Sequence, residues 1–485
     1  MYTQTRHYPM YVAGGWTEGA SGARSEATSP ATGEVIGTVP EGDREDVRRA
    51  VAAANAAAPA WASLSAFDRS AAMDRIAGII TGRREDLART LSLDQGKPLE
   101  AEAYEEVDEL IAYFEMAAAD AIRFEGSMPP SVDANKRILL YRVPRGVVGV
   151  ISPWNWPYTM PAELIAPALA CGNAVVWTPA PTTSVCAAKL AECIVEADLP
   201  AGVFNMVTGP GPVVGDEVAA NPSVQAVGFI GSVETGRKVA ARAAGKALLL
   251  EMGGNGPMVV LDDADLDAAV GASITAAFLG AGQSCTAGER FLIQERAREP
   301  FLEKLQDAVA REVRLGDPFD PSTTMGPLNN EPTAAKMDRH VSDALERGAR
   351  LIAGGARERG FPTDLYYTPT VLDGVTEEMR VSEEETFGPI VPLTVIEDEQ
   401  EALRAINTSP YGLLSAVFTG DLARGLRFAE SARTGWVNIN ASSNHWESHL
   451  PFGGRAGKLS GIGRVGGRYS METFTELKTV IVDLG

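Results

Sequence analysis

Apolar and polar positions follow two rhythms along this chain, and the change between them divides it. From Arg44 to Trp61, Ala66 to Arg83 and Arg84 to Gln95, alanine-rich stretches read as helices, and Pro98 to Arg123 continues in helical composition. This predicts a helical layer covering a sheet. Short apolar runs follow at Leu139 to Tyr141, Gly146 to Ile151, Gly172 to Trp177, Val203 to Val207 and Ala226 to Ile230, which read as strands. Between them, Thr182 to Glu196 reads as a helix opened by a threonine cap, and a further helix is expected near Gly211 to Ala220. Such alternation predicts an α/β domain with a largely parallel sheet and a nucleotide-sized ligand beyond the carboxyl ends of its strands. A second α/β unit is expected from about Leu248. It holds strands at Met258 to Leu261 and near Phe291, Leu351 and Val371, with helices after Asp265 and over Gln400 to Asn407. The β-branched run Thr479 to Val482 is expected to pair in a sheet or across a subunit boundary.

Length and charge narrow the class. A chain of 485 residues with 45% hydrophobic content fills two or three cores rather than one. Its formal net charge of -21 argues against nucleic-acid binding through a general basic surface. The four cysteines, Cys171, Cys186, Cys193 and Cys285, have no metal-ligand spacing and the four histidines do not cluster with them, so neither a metal site nor a disulfide framework is expected. Met1 to Trp16 has no uninterrupted apolar core, which leaves the cytoplasm as the expected compartment. Gly146 to Trp177 carries one formally charged residue, Glu163, and comes nearest to a membrane span. The prolines at 153, 157, 161 and 167, with Asn155 and Asn173, point instead to buried protein interior and no membrane.

Four short segments carry chemistry. In Gly280-Ala281-Gly282-Gln283-Ser284-Cys285 a thiol follows small residues that leave the backbone free to approach a ligand, although a lone cysteine also serves as a small core hydrophobe. Glu251 precedes Gly253-Gly254, where burial would raise its proton affinity toward that of a base; a buried structural carboxylate fits equally. Asn155 lies between two indoles and two prolines in Pro153-Trp154-Asn155-Trp156-Pro157, as an oxyanion donor or as the structural amide of a rigid turn. Gly231-Ser232-Val233-Glu234-Thr235-Gly236 joins a strand to a helix, as a phosphate cradle or an ordinary turn, and lacks the full three-glycine dinucleotide fingerprint.

Together these segments resemble the NAD(P)-dependent aldehyde dehydrogenase superfamily. The likeness runs from Tyr11-Val12-Ala13-Gly14-Gly15-Trp16 through Glu385-Thr386-Phe387-Gly388-Pro389 and Pro451-Phe452-Gly453-Gly454 to Glu472-Thr473-Phe474. It implies a Rossmann-like cofactor domain (1–123 and 146–249), an α/β catalytic domain (250–439), a small β oligomerisation arm (124–145 and 465–485) and a substrate-entrance loop (440–464). By that resemblance Cys285 attacks the aldehyde carbonyl, Asn155 and the Cys285 backbone amide stabilise the oxyanion, and Glu251 activates the water that hydrolyses the thioester. Ser232, next to Gly231 and Gly236, matches a pyrophosphate contact, Glu385 a nicotinamide-ribose carboxylate, and Phe387 and Trp154 a cofactor wall. A homodimer or homotetramer acting on a small-molecule aldehyde is implied. The rival outcomes are transfer of the acyl group to coenzyme A and a non-catalytic protein of the same fold.

Three places depart from the family pattern. Thr178 and Pro181 stand where many members carry a lysine and a ribose-binding glutamate. These changes pull cofactor choice in opposite directions and keep NAD slightly ahead of NADP, with Thr182-Thr183-Ser184 as substitute ribose contacts. Glu163 resembles a substrate-tunnel position that is often aromatic, or arginine in members acting on carboxylate-bearing semialdehydes, so a neutral hydroxylated, aromatic or cationic aldehyde is easier to accommodate unless another arginine compensates; an internal ion pair away from substrate is the alternative. The loop Asn440 to Leu450 is longer than usual, with Trp446 as an apolar wall and His445, Glu447 or His449 for hydroxyl recognition.

Overall fold

Two parallel sheets built from successive βα units form the frame. The computed structural model of the chain describes residues 6–485. The first sheet has the order Gly461–Ile462, Ala247–Met252, Ala226–Gly231, Val147–Ile151, Ala174–Thr178, Phe204–Met206, Met10–Val12 and Gly15–Thr17. Its five central strands are parallel. The strand order reverses between Val147–Ile151 and Ala226–Gly231, and the space beyond their carboxyl ends is where a doubly wound sheet opens a crevice. Ser152 to Asn155 and Gly231-Ser232 leave the sheet at that point.

The second sheet runs Arg350–Ala353, Thr370–Asp373, Ile390–Ile396, Gly288–Gln294, Gly256–Val260, Leu414–Phe418 and Trp436–Ile439, parallel except at its first strand. Expected to start near Leu248, this unit starts one strand later. Ala247–Met252 pairs in parallel with Ala226–Gly231 and so belongs to the first sheet. Glu251 therefore sits at the end of one sheet while Cys285 precedes Gly288–Gln294 of the other.

The run Thr479 to Val482 lies within the longer strand Thr475–Asp483, which pairs antiparallel with Lys136–Pro144 as a two-stranded arm. Leu477 and Ile481 stand exposed on it.

The helical layer forms as expected over Arg44–Ser63, Ala66–Gly82, Arg84–Asp94 and Tyr104–Ala121, with a π-helical turn at Leu99–Ala103. A helix over Thr159–Ala170 has no counterpart in the sequence reading, because its prolines obscure it. Pro161 falls in the first turn, where no donor is lost, and Pro167 removes one internal bond from a helix whose every residue is buried. No helix among the described residues is long and apolar enough to cross a membrane.

The threonine cap expected at Thr182 to Glu196 is not formed. A 3-10 turn covers Pro181–Thr183, the α-helix spans Ser184–Glu196, and Thr183 makes no side-chain cap bond. Buried Asp94 takes over, its Oδ2 accepting from the Cys186 amide at 2.8 Å.

Fully buried Trp177 links strand to site. Its Nε1 donates to Ser152 Oγ at 2.9 Å, just before the Pro153 to Pro157 turn. Trp177→Phe removes the donor and leaves a cavity and a buried hydroxyl without this partner. We expect it to destabilise the fold by ~2–3 kcal/mol, read from chemical denaturation.

Candidate active site

Cys285 reaches the crevice through a backbone that few residues can adopt. Gly280, Ala281 and Gly282 take positive φ values of 59°, 54° and 71°. A Cβ at Gly282 would sit 2.3 Å from the Gly388 carbonyl oxygen, so the glycine is required by close approach as well as by φ. Two hydrogen bonds hold this turn from the first domain. Glu102 Oε1 accepts from the Gly280 amide at 3.0 Å, and Asn155 Nδ2 donates to the Gln283 carbonyl at 3.0 Å. A primary amide has two N–H donors, so the second Asn155 hydrogen remains for another acceptor.

Two cavities meet at the thiol. One, of about 390 Å³, is lined by Trp156, Glu163, Trp446, Phe452 and the face of Tyr104–Ala121 that carries Glu105 and Glu109. The other, of about 190 Å³, is lined by Trp154, Gly231, Ser232, Lys336, Glu385 and Phe387. Asn155, Met160, Glu251 and Cys285 line both. Cys285 is the partly exposed thiol, whereas Cys171, Cys186 and Cys193 are buried. Among the described residues no three His, Cys, Asp or Glu side chains are placed to hold a metal.

The electrostatics are dominated by acids in a dry space. Burial pushes Glu251 up to about 8, with Glu385 adding to the rise and the Cys285 thiol opposing it. Its Oε1 has no hydrogen-bond partner. Burial, reinforced by Glu251, Glu385 and Glu163, pushes the thiol well above its usual range. Glu251 is the carboxyl within hydrogen-bond reach of the thiol.

The smaller cavity has the parts of a dinucleotide site. Ser232 caps the helix Val233–Arg242, its Oγ accepting from the Thr235 amide at 3.3 Å, so the helix N-terminus opens beside exposed Ser232. Trp154 and Phe387 meet edge to face, 5.6 Å between ring centroids. Glu385 Oε1 accepts from the Gly254 amide at 3.1 Å.

Two residues that sequence reasoning missed complete this wall. Glu289 accepts from the amides of Thr386 and Phe387 at 2.8 and 2.7 Å and fixes the turn in which Phe387 has a φ of 58°. Lys336 lines the cavity and draws Glu385 back down against its burial. The only sequence signal for Lys336 is its place one helical turn after Thr333, which lines the same cavity.

Other expected contacts turn inward. Thr178 is buried with its hydroxyl donating to the Val150 carbonyl at 3.4 Å, and it lines neither cavity. Gly236 packs its helix on the strand below, where a Cβ would sit 2.1 Å from Met252 Sδ. Thr183 and Ser184 are buried as well, which leaves Thr182 as the exposed hydroxyl of the three expected to meet a ribose.

In the larger cavity Glu163 is 2% exposed and its Oε1 has no hydrogen-bond partner. No arginine lines the cavity to compensate it. Trp446 packs 6.3 Å from Tyr113 and 5.8 Å from Phe452 between ring centroids, and His445 alone of the three expected polar loop residues lines the space.

A model of the aldehyde dehydrogenase family matches residues 16–480. An NADP-dependent succinate-semialdehyde dehydrogenase of Escherichia coli is 39% identical over 476 residues, 98% of this chain and 97% of that protein. Among solved structures, a succinate-semialdehyde dehydrogenase from Burkholderia pseudomallei superposes with a TM-score of 0.95 at 38% identity, covering 99% of this chain and 98% of that one. A betaine aldehyde dehydrogenase from Staphylococcus aureus in complex with NAD+ superposes with a TM-score of 0.95 at 34% identity, covering 99% and 95%.

The buried acids set a pH dependence of stability. Glu385 is raised from 4.5 to about 7 by burial. A carboxyl raised in the folded state favours folding below its unfolded value, and that contribution is lost as pH rises through the folded value. We therefore expect Glu385→Gln to raise Tm by a few degrees at pH 8 and by clearly less at pH 5, measured by calorimetry without cofactor.

Proposed function

We propose that the chain, which belongs to the aldehyde dehydrogenase family, oxidises an aldehyde to its carboxylic acid with NAD or NADP, through a thioester on Cys285. The observation that carries this reading is the meeting of the two cavities at Cys285, with Asn155 and Glu251 lining both. The smaller cavity suits a dinucleotide: a capped helix N-terminus at Ser232 for the pyrophosphate, Glu385 with Lys336 for ribose hydroxyls, and Trp154 with Phe387 as an aromatic wall. When bound there, the nicotinamide supplies a two-electron acceptor for hydride.

The chain's own residues do the rest. Glu251 takes the Cys285 proton, and the sulfur forms a bond to the aldehyde carbon. The second Asn155 N–H receives the oxygen that becomes negative, a contact worth ~3–4 kcal/mol in the transition state. Loss of hydride leaves the acyl group on sulfur. Glu251 passes that proton to solvent and then removes one from water, whose oxygen adds to the thioester carbon and expels the thiolate, which regains its proton from Glu251. One aldehyde, one water and one oxidised cofactor give one carboxylate, one reduced cofactor and two protons. An acid held near 8 suits both proton transfers, since it is strong enough as a base and still ionises.

One relative is named for NADP and another was solved in complex with NAD+. We assign NAD as the better cofactor and NADP as admitted, because Thr178 leaves no lysine to attract a 2'-phosphate while Pro181 leaves no carboxylate to repel one. The exposed apolar arm, with Leu477 62% and Ile481 60% exposed, fits a surface that a second copy of the chain covers in a cytoplasmic homodimer or homotetramer.

Cys285→Ala is expected to abolish oxidation while dinucleotide binding persists; turnover at the wild-type rate rejects Cys285 as nucleophile. Glu251→Gln should slow deacylation at least 100-fold, so that intact protein mass rises by the acyl group after substrate and cofactor are added. In the wild type, free acid should remain the product when coenzyme A is present, and acyl-coenzyme A as main product overturns the hydrolytic assignment. Leu477→Asp with Ile481→Asp should shift the mass measured by sedimentation toward that of one chain.

A further inference from the structure

The larger cavity is an acid-lined passage, and several of its carboxyl groups have no counter-ion. Seven of its lining residues are Glu or Asp against one lysine, Lys97. Some of the seven are committed elsewhere. Lys97 bonds Glu106 at 2.6 Å and sits over the Trp156 ring at 3.4 Å, Arg84 holds Asp108 at 2.5 and 2.6 Å, and Glu102 holds the Gly280 amide. Glu251 is reserved for the chemistry. Three remain: Glu105, Glu109 and Glu163, none of which meets a lysine or arginine at ion-pair distance among the described residues.

These three are graded in depth. Glu105 is exposed, Glu109 lies one helical turn further along the same helix face and is half-buried, and Glu163 is buried, close enough to Cys285 to raise its thiol and to Glu251 to be raised by it. Glu163 Oε1 has no hydrogen-bond partner and the side chain lines the cavity. The nearby Tyr113 hydroxyl is the one group that favours its ionised form, while burial, Glu251 and Glu109 oppose it. An interior carboxyl without a cation is costly, so a site that keeps one next to its reacting thiol gains most when the ligand brings the cation. Trp446 and Phe452 also line the cavity, Trp446 packing on Tyr113 beside Glu163, and ring faces attract cations as well.

Building on the dehydrogenase reading above, we propose that the substrate is an aldehyde carrying a positively charged nitrogen, drawn inward past Glu105 and Glu109 and held by Glu163 with the Trp446 ring. A carboxylate-bearing semialdehyde meets repulsion at each of these steps. Glu163 is then a specificity-determining residue whose charge is completed by the substrate.

The test uses the full-length enzyme with its cofactor and three aldehydes of similar length that differ in charge: 4-(trimethylammonio)butanal, pentanal and succinic semialdehyde. We expect kcat/KM at least tenfold higher for the cation than for pentanal, and lower again for the anion. Glu163→Gln should cut the cation-to-neutral ratio at least tenfold and Glu109→Gln severalfold. Raising ionic strength should lower kcat/KM for the cation far more than for pentanal. This salt effect is read on the wild type and does not depend on either variant folding. A preference for pentanal or succinic semialdehyde, or a ratio unmoved by both variants and by salt, overturns the proposal while leaving the dehydrogenase reading intact. Failure to oxidise any of the three overturns both.

Discussion

The hydrogen bond from Asn155 Nδ2 to the Gln283 carbonyl crosses from the first sheet's crevice to the turn that delivers Cys285, and the site depends on that crossing. Neither sheet alone holds the chemistry. Glu251 and Asn155 belong to the ends of first-sheet strands, whereas Cys285 precedes a strand of the second. The Glu102 bond to the Gly280 amide repeats the crossing from the helical layer. Three successive left-handed residues are tolerable there because both ends of the turn are pinned. The strain of that turn and the two bonds across the crevice are therefore one device: together they fix a thiol between two cavities.

Burial then does what the geometry alone does not. In water Glu251 would be an ionised and weak base, and Cys285 a thiol near its usual range. In the crevice both protons are held more tightly, and each group raises or restrains the other. The same dryness raises Glu385 and Glu163, so the reaction centre is a cluster of acids that the fold tolerates rather than prefers. Lys336 on one side offsets part of this. On the other side Lys97 is already bound to Glu106, and its charge does not reach Glu163 as a partner. The imbalance thus lies in the walls of the two cavities, where ligands enter, and not in the hydrophobic cores.

Much of this was legible in the chain. Strand and helix rhythm marked four of the five parallel strands of the first sheet and, in the second, those at Met258, Phe291, Leu351 and Val371, but not Ile390–Ile396 or Leu414–Phe418, and the small-residue turns around Asn155, Glu251 and Cys285 marked the parts that the fold brings together. The helix Thr159–Ala170 was not legible, because prolines at its first turn and near its end hide a helix that only complete burial explains. Lys336 and Glu289 were missed for a different reason: a lone lysine on an amphipathic helix and a glutamate opening a strand look like solvated positions until the turn at Phe387 folds over them. Conversely, Thr178 and Gly236 sit within segments that face the crevice, yet strand pleat and helix packing turn each of them inward. A segment's place in the fold is written in its pattern; which of its residues look into a cavity depends on neighbours distant in sequence.

That distinction also explains how one frame serves substrates of opposite charge. The relatives superpose closely on this chain although their names refer both to a carboxylate-bearing semialdehyde and to betaine aldehyde. Backbone agreement of that quality shows a shared frame and carries no information about the rest of the aldehyde. Charge selection has to come from side chains that reach the larger cavity without shaping the turn. Glu163 is such a residue, since its helix is buried whatever the carboxyl does, and Glu109 meets it from a separate element. Two helices that would pack equally well without these acids place them against each other, with no cation between. In a stable interior that arrangement is a cost, and in a passage leading to a nucleophile it is a preference for what enters.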